Sequence, residues 1–156
     1  MKEALFRLDE FCRANGIDYM VTGTMALSLL GVPSRFEPQD IDIKVFNLSQ
    51  AQRDTLSAIQ FSSGLEKGYK DSELFTIPAN DKKVNIFVDE KHYCYVVMCF
   101  TDEECNKQRL IKVQSMQAAL DDKMRLNRVK DRLYLLDLVY MLMSCQSARN
   151  SSDKNK

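Results

Sequence analysis

Long apolar runs, histidine and net charge are all scarce in this 156-residue sequence. No apolar run reaches the roughly 20 residues of a membrane-spanning helix, so we predict a protein that does not enter a membrane. The formal net charge is +0 at pH 7, which argues against bulk electrostatic binding of nucleic acid. His92 is the single histidine, and we interpret it as a surface residue rather than a catalyst.

Paired cysteine motifs are also missing. The five cysteines include no Cys-X-X-Cys pair and only His92 could join them as a ligand, so the sequence does not favour a zinc site. An odd number of cysteines with Met- and Leu-rich neighbours predicts reduced thiols and a cytoplasmic location. The first ten residues are amphipathic and partly acidic, unlike a signal peptide.

The composition is that of a globular protein, with 45% hydrophobic and 28% charged residues. We predict one domain over residues 1–145 and a disordered tail over the polar residues 146–156. Charge is unevenly distributed: residues 40–106 carry 7 basic and 12 acidic side chains, whereas residues 107–132 carry 8 basic and 3 acidic. Either the acidic segment binds a metal ion and faces a basic segment that binds phosphates, or the two segments are solvated surfaces whose charges merely balance.

Hydrophobic periodicity and turn residues predict alternating helices and strands. We expect helices over 2–15, 25–30, 48–61, 115–126 and 130–145, and strands over 19–21, 40–46, 74–77, 83–88, 93–100 and 109–113. Residues 62–64 and 101–107 are predicted to be loops.

Residues 21–45 hold the two most informative patterns in the chain. Gly23-Thr24 separates a short apolar strand from a buried helix, a junction that can present backbone N–H groups to an anion. Asp40 and Asp42 flank an isoleucine in a strand-like run, so their side chains share one face about 7 Å apart. Two carboxylates so placed repel each other unless a cation lies between them, and Mg²⁺ suits oxygen ligands of this kind.

These patterns resemble the nucleotidyltransferase superfamily, specifically its minimal nucleotidyltransferase and AbiEii-like branches. The matching residues are Gly23, Thr24, Ala26, Leu27, Gly31, Arg35, Asp40, Ile41, Asp42 and Ile43. The resemblance covers about residues 17–137. It implies an α+β fold, in which a small mixed sheet carrying Gly23 and the two aspartates packs on helices and is followed by a C-terminal helical pair.

The activity that this resemblance implies is Mg²⁺-dependent transfer of a nucleoside monophosphate from an NTP to an acceptor. Asp40 and Asp42 would be the catalytic metal ligands for one or two ions, and Gly23, Thr24 and Arg35 would contact the nucleotide or the acceptor. Acceptors among such proteins include tRNA ends, small-molecule drugs and partner proteins in toxin–antitoxin pairs. We predict no appended domain that would select one of them.

A third carboxylate usually accompanies the aspartates in this family, on a later strand. The equivalent position here holds Asn85, whose neutral amide can ligate Mg²⁺ weakly but cannot accept a proton. Either Asp89 or Glu73 substitutes, or the alignment is shifted, or catalysis is impaired. The sequence does not choose among these alternatives.

A C-terminal basic segment also resembles the family, through Lys123, Arg128, Lys130 and Asp131. Lys123 and Lys130 are seven residues apart and share a face if the helix is continuous, so they could hold nucleotide phosphates. The alternative is a cationic helix surface with no ligand.

Two other classes of protein compete with an enzyme. With Asn85 in the third position, the chain could bind a nucleotide or a partner without turnover, as an antitoxin-like or regulatory subunit would. It could also be a structural protein, because residues 133–143 are apolar almost all round and predict burial in the fold or in a homodimer.

Overall fold

The computed structural model describes residues 2–59, 62–65, 73–79, 82–89, 94–103 and 106–153. Within these ranges the chain forms five helices and seven strands. In chain order they are α1 (Lys2–Ala14), β1 (Tyr19–Val21), α2 (Gly23–Leu29), β2 (Ile41–Phe46), α3 (Gln50–Ile59), β3 (Ser62–Leu65), β4 (Glu73–Ala79), β5 (Lys82–Asp89), β6 (Tyr95–Asp102), β7 (Lys107–Gln114), α4 (Met116–Leu126) and α5 (Val129–Asp153).

All seven strands belong to one mixed sheet, in the order β3-β4-β5-β2-β1-β7-β6. The β2–β5 and β1–β7 pairs are parallel, and the other four pairs are antiparallel. The predicted α+β class with a mixed sheet is therefore confirmed. Strand β2 lies at the centre of the sheet, between β5 and β1.

The two faces of β2 have different roles. Ile41, Ile43 and Val45 are fully buried in the larger core cluster, which includes residues of α1. Side chains alternate along a strand, so Asp42 and Lys44 project from the opposite face, where Lys44 contacts α4. A second, smaller cluster joins α2, α4 and α5 through Leu27, Val32, Ala119, Tyr134 and Leu138. Apolar burial on one face thus fixes which way the polar face of β2 points.

Two segments that were predicted to be loops are wholly or largely strand. The predicted loop over 62–64 was wrong, because β3 forms there and pairs with the outer edge of β4, where tertiary context outweighs the weak strand propensity of serine and glycine. The charged loop predicted over 101–107 is largely strand, because β6 and β7 continue to the pair Asp102 and Lys107. Arg109 also binds Asp102 across these strands, with Nη2 2.6 Å from Oδ2.

The ends of the C-terminal helices follow from capping residues. Ser115 caps α4 by accepting a hydrogen bond from the backbone N–H of Ala118 at 3.3 Å. Asn127 adopts the left-handed conformation (φ 49°) and separates α4 from α5. The backbone of α5 then continues through residues 146–153, where composition predicts a disordered tail.

Among the described residues, no helix combines the length and the hydropathy that a membrane crossing requires.

Candidate nucleotide-binding site

Asp40 and Asp42, here called the aspartate pair, lie at the start of β2 beside Asn85. Strands β2 and β5 are in a register that places Asn85 directly opposite Asp42. The Asn85 amide nitrogen donates to Asp40 Oδ2 at 3.1 Å and to Asp42 Oδ1 at 2.9 Å. Its two N–H groups thereby offset the repulsion between the two carboxylates.

The orientation of the Asn85 amide is set by a fourth residue. Thr76, on the neighbouring strand β4, donates its hydroxyl to Asn85 Oδ1 at 3.3 Å. The carbonyl end of the amide therefore points away from the aspartate pair, and the N–H₂ end points toward it. Sequence reasoning missed Thr76, although it faces Asn85 in the hairpin register.

Neither alternative carboxylate reaches the aspartate pair. Asp89 lies opposite Phe46, four residues beyond Asn85 along β5, a separation of about 13 Å. Glu73 forms an ion pair with Arg53 of α3. Among the described residues, no group of three His, Cys, Asp or Glu side chains could hold a metal ion.

Gly23 brings its backbone against the aspartate pair. Its φ of +66° is one that side chains disfavour, and an added Cβ would lie 3.1 Å from Asp42 Oδ2. The preceding residue, Thr22, donates its backbone N–H to the carbonyl of Asp42 at 2.8 Å. A glycine is thus needed here both for the turn and for the close approach to Asp42.

A buried polar network holds the Gly23 turn in place. The Gln114 side chain is fully buried, accepts from the Gly23 N–H at 3.5 Å and donates to Asp122 Oδ2 at 2.9 Å. The Lys44 ammonium lies 3.1 Å from the same oxygen and is only 1% exposed. Strand alternation places Lys44 on the face of Asp42, but its link to α4 could not be read from the sequence.

Burial shifts the pKa values of both charged groups in this network. Burial lowers the pKa of Lys44, and the neighbouring Asp122 carboxylate offsets only part of that shift. Burial alone would raise the pKa of Asp122, but the Gln114 hydrogen bond and the charge of Lys44 outweigh it and leave this pKa lowered.

Lys123, on helix α4, is held in place by several contacts. Its ammonium lies 2.9 Å from the Thr24 hydroxyl, 3.5 Å from Asp131 Oδ1 and 4.4 Å from the centre of the Tyr134 ring. Burial lowers the pKa of Lys123, and the Asp131 charge offsets part of the shift. Arg128 also binds Asp131, with Nε 2.7 Å from Oδ2. Lys130, by contrast, is exposed.

Two adjoining cavities bring most of the predicted site residues together. The larger, of about 150 Å³, has in its lining both members of the aspartate pair, Lys130 and Tyr134. The smaller, of about 40 Å³, is lined by the Gly23 turn and Arg128 among others. Thr24, Asp42, Lys123 and Lys130 line both.

Arg35 lies away from these cavities. Its guanidinium is 3.3 Å from Asp137 Oδ1 and 5.5 Å from the centre of the Tyr140 ring, both on α5. Its backbone N–H also donates to Asp137 at 3.1 Å. Arg35 therefore connects the loop before β2 to helix α5, and it does not lie beside the aspartate pair.

The chain matches no protein-family model, no curated protein and no solved structure.

Proposed function

We propose that this protein binds the triphosphate of a nucleotide together with Mg²⁺, and that it transfers the nucleotidyl group to an acceptor only slowly. The observation that carries the proposal is the convergence of the aspartate pair, the Gly23 turn and Lys130 on adjoining cavities. An acidic wall for a metal ion and a cationic residue for phosphate oxygens thus face one space. This charge pattern suits a metal–triphosphate better than either a free anion or a free cation.

The oxygen donors present fit one Mg²⁺ ion rather than two. Asp40 and Asp42 supply carboxylates, and Asn85 would supply a carbonyl oxygen if the two ends of its amide exchanged places. That exchange would turn the N–H₂ group toward the Thr76 hydroxyl, which can accept as well as donate a hydrogen bond. When bound, the ion would neutralise phosphate charge, and its remaining positions would be taken by phosphate oxygens and water.

Lys123 and Lys130 are suited to different tasks. Lys123 is buried and already contacts Thr24, Asp131 and Tyr134, so it holds the wall of the cavity in place. Lys130 is exposed and lines both cavities, so its ammonium is available for phosphate. We assign direct phosphate binding to Lys130 and positioning of the Gly23–Thr24 turn to Lys123.

Slow transfer follows from the chemistry of Asn85. In nucleotidyl transfer, the acceptor oxygen forms a bond to the α-phosphorus while the bond to pyrophosphate breaks, and the acceptor must lose its proton. A neutral amide cannot take that proton, and absence of a general base typically costs about 10²–10⁴-fold in rate. Tight binding with slow turnover would also suit a regulatory or antitoxin-like partner protein.

Calorimetry with ATP, GTP, CTP and UTP, each with and without Mg²⁺, tests the proposal. We expect at least one nucleotide to bind only with Mg²⁺, and Asp42→Asn to abolish that binding. Asp54→Asn, on helix α3, is the matched control, because it removes one negative charge away from the site. Equal binding without Mg²⁺, or no binding of any nucleotide, would refute the proposal.

A further inference from the structure

Helix α5 is apolar on two opposite faces. One face, with Tyr134 and Leu138, is buried against the domain. Seven apolar side chains of α5 are between 50% and 67% exposed, and all but Val139 and Leu142 lie in one stripe on the side opposite the buried face. These five, called here the α5 seam, are Val129, Leu133, Leu136, Tyr140 and Met143.

The spacing of the α5 seam is that of a coiled coil. Successive members are separated by four, three, four and three residues, which is the a/d repeat of two heptads. At 3.6 residues per turn, this spacing gathers the five side chains into a stripe about 80° wide, roughly opposite the buried face. A helix that only covers the core of its own domain needs no such second stripe.

We propose that the α5 seam pairs with the α5 seam of a second copy of this chain, in a parallel two-stranded coiled coil. Leu133 and Tyr140 would occupy a positions, and Val129, Leu136 and Met143 would occupy d positions. In a parallel, in-register pair each seam residue meets its own counterpart, so one sequence satisfies both sides. This pairing does not depend on nucleotide binding.

Flanking charges favour the parallel orientation. Arg132 is at a g position and Asp137 at the e position five residues later, so Arg132 of one copy approaches Asp137 of the other in a parallel pair. An antiparallel pair would lose this contact, because its g positions face each other. The Asp137 side chain is only 12% exposed and already pairs with Arg35, so Arg132 of the other copy would share this carboxylate, which can accept about four hydrogen bonds, with Arg35.

The buried face of α5 makes a short seam sufficient. Isolated helices shorter than about 12–15 residues are marginal in water, because the first turn is costly to form. Residues 129–143 belong to a 25-residue helix that already packs on the domain through Tyr134 and Leu138. Association therefore does not have to fold the helix, and the entropy cost of dimerisation is reduced accordingly.

Sedimentation equilibrium of the full chain over about 1–200 μM tests the proposal. We expect the mass to rise from 18.0 kDa to twice that value. Leu133→Glu should raise the dissociation constant at least about 100-fold, because it places two carboxylates in an apolar interface. Leu142→Glu is the matched control: Leu142 is 51% exposed, against 50% for Leu133, but lies off the seam and should leave the constant unchanged.

Two outcomes would overturn the proposal. One is a wild type that is monomeric at every concentration, because the α5 seam would then not bind a second copy of this chain. The other is equal weakening by Leu133→Glu and Leu142→Glu. Circular dichroism of both variants shows whether either has simply failed to fold.

Oxidative cross-linking tests the parallel register. Met143 lies at one end of the seam, so Met143→Cys meets itself only in a parallel pair, whereas an antiparallel pair would bring it to Val129. We expect a disulfide-linked dimer beyond the level that the wild-type cysteines give. No cross-linking above that level, in a protein that is dimeric by sedimentation, would overturn the parallel arrangement.

Discussion

Asn85 lies directly opposite Asp42 across the β5–β2 pair, with its amide nitrogen 2.9 Å from the Asp42 carboxylate. The same nitrogen also donates to Asp40, so one amide group bridges both members of the aspartate pair. A bound cation would bridge the same two carboxylates. Asn85 therefore offsets in part the repulsion that a metal ion would otherwise have to neutralise.

Asn85→Asp should change both stability and turnover. Three carboxylates would then converge, so without metal we expect the free energy of unfolding to fall by about 1–3 kcal/mol, measured by urea denaturation. Millimolar Mg²⁺ should recover most of this loss. Release of pyrophosphate from an NTP, with total tRNA and cell-extract protein as acceptors, should rise about 10²-fold or more.

Thr76→Val serves as a control for this substitution, because it frees the carbonyl end of Asn85 without adding a charge. It should not raise pyrophosphate release. Brisk turnover by the wild type, with Asn85→Asp inert, would show that another residue supplies the base.

Gly23→Ala should disrupt the site more than an equivalent glycine substitution elsewhere. Gly31→Ala is the matched control: Gly31 has a φ of +75° against +66° for Gly23, but an added Cβ there meets nothing within 4 Å. Both variants should lose about 1–2 kcal/mol of stability from backbone strain. Only Gly23→Ala, which displaces Asp42, should weaken Mg²⁺–nucleotide binding in calorimetry. Equal affinities of the two variants for the Mg²⁺–nucleotide would show that the Gly23 turn does not contribute to binding.

Lys130→Ala and Lys123→Met should give opposite results. Lys130→Ala should lower nucleotide affinity about tenfold at low salt, with less effect at high salt, and leave the melting temperature unchanged. Lys123→Met should lower the melting temperature, because Asp131 loses a buried ion-pair partner. If Lys130→Ala binds nucleotide as tightly as wild type, the exposed lysine does not contact phosphate.

The difference in stability between the wild type and Lys44→Met should depend on pH. Removing one member of a buried pair should cost about 3 kcal/mol at neutral pH. The pKa of Lys44 is lowered in the folded state, so the folded protein releases this proton first as pH rises. The stability of wild type relative to Lys44→Met should therefore increase from that lowered pKa up to about 10.5, the ordinary lysine value.

Urea denaturation at several alkaline pH values measures this difference. Lys83→Met, at an exposed position of β5, is the control and should show neither the loss nor the trend. A stability difference that falls with pH would contradict the assigned shift.

Local patterns predicted much of the fold. Alternation placed Asp40 and Asp42 on one face, and the ordering of apolar runs predicted the strand that precedes Gly23 and the strand that carries Asn85. The serine cap before α4 and the break near Asn127 were readable because each acts within one turn of its helix. Strand β3 was missed, because its pairing depends on the distant edge of β4.

The support of the site could not be predicted in the same way. Gln114, Asp122 and Lys44 come from three separate elements, and only tertiary packing brings them together. Arg35 illustrates the converse. Its motif position suggested a ligand contact, whereas its guanidinium pairs with Asp137, 102 residues further along the chain. A motif specifies residue types along the chain but not which competing charge a long side chain will meet.

The parallel pairing at the centre of the sheet also affects when the site can form during folding. Asp42 and Asn85 are 43 residues apart, Gly23 and Gln114 are 91 apart, and Thr24 and Lys123 are 99 apart. Contacts of such high sequence separation carry the largest loop-closure cost and slow folding. No contiguous fragment of the first hundred residues contains all of these partners. The site is thus a property of the completed chain, assembled after translation has passed α4.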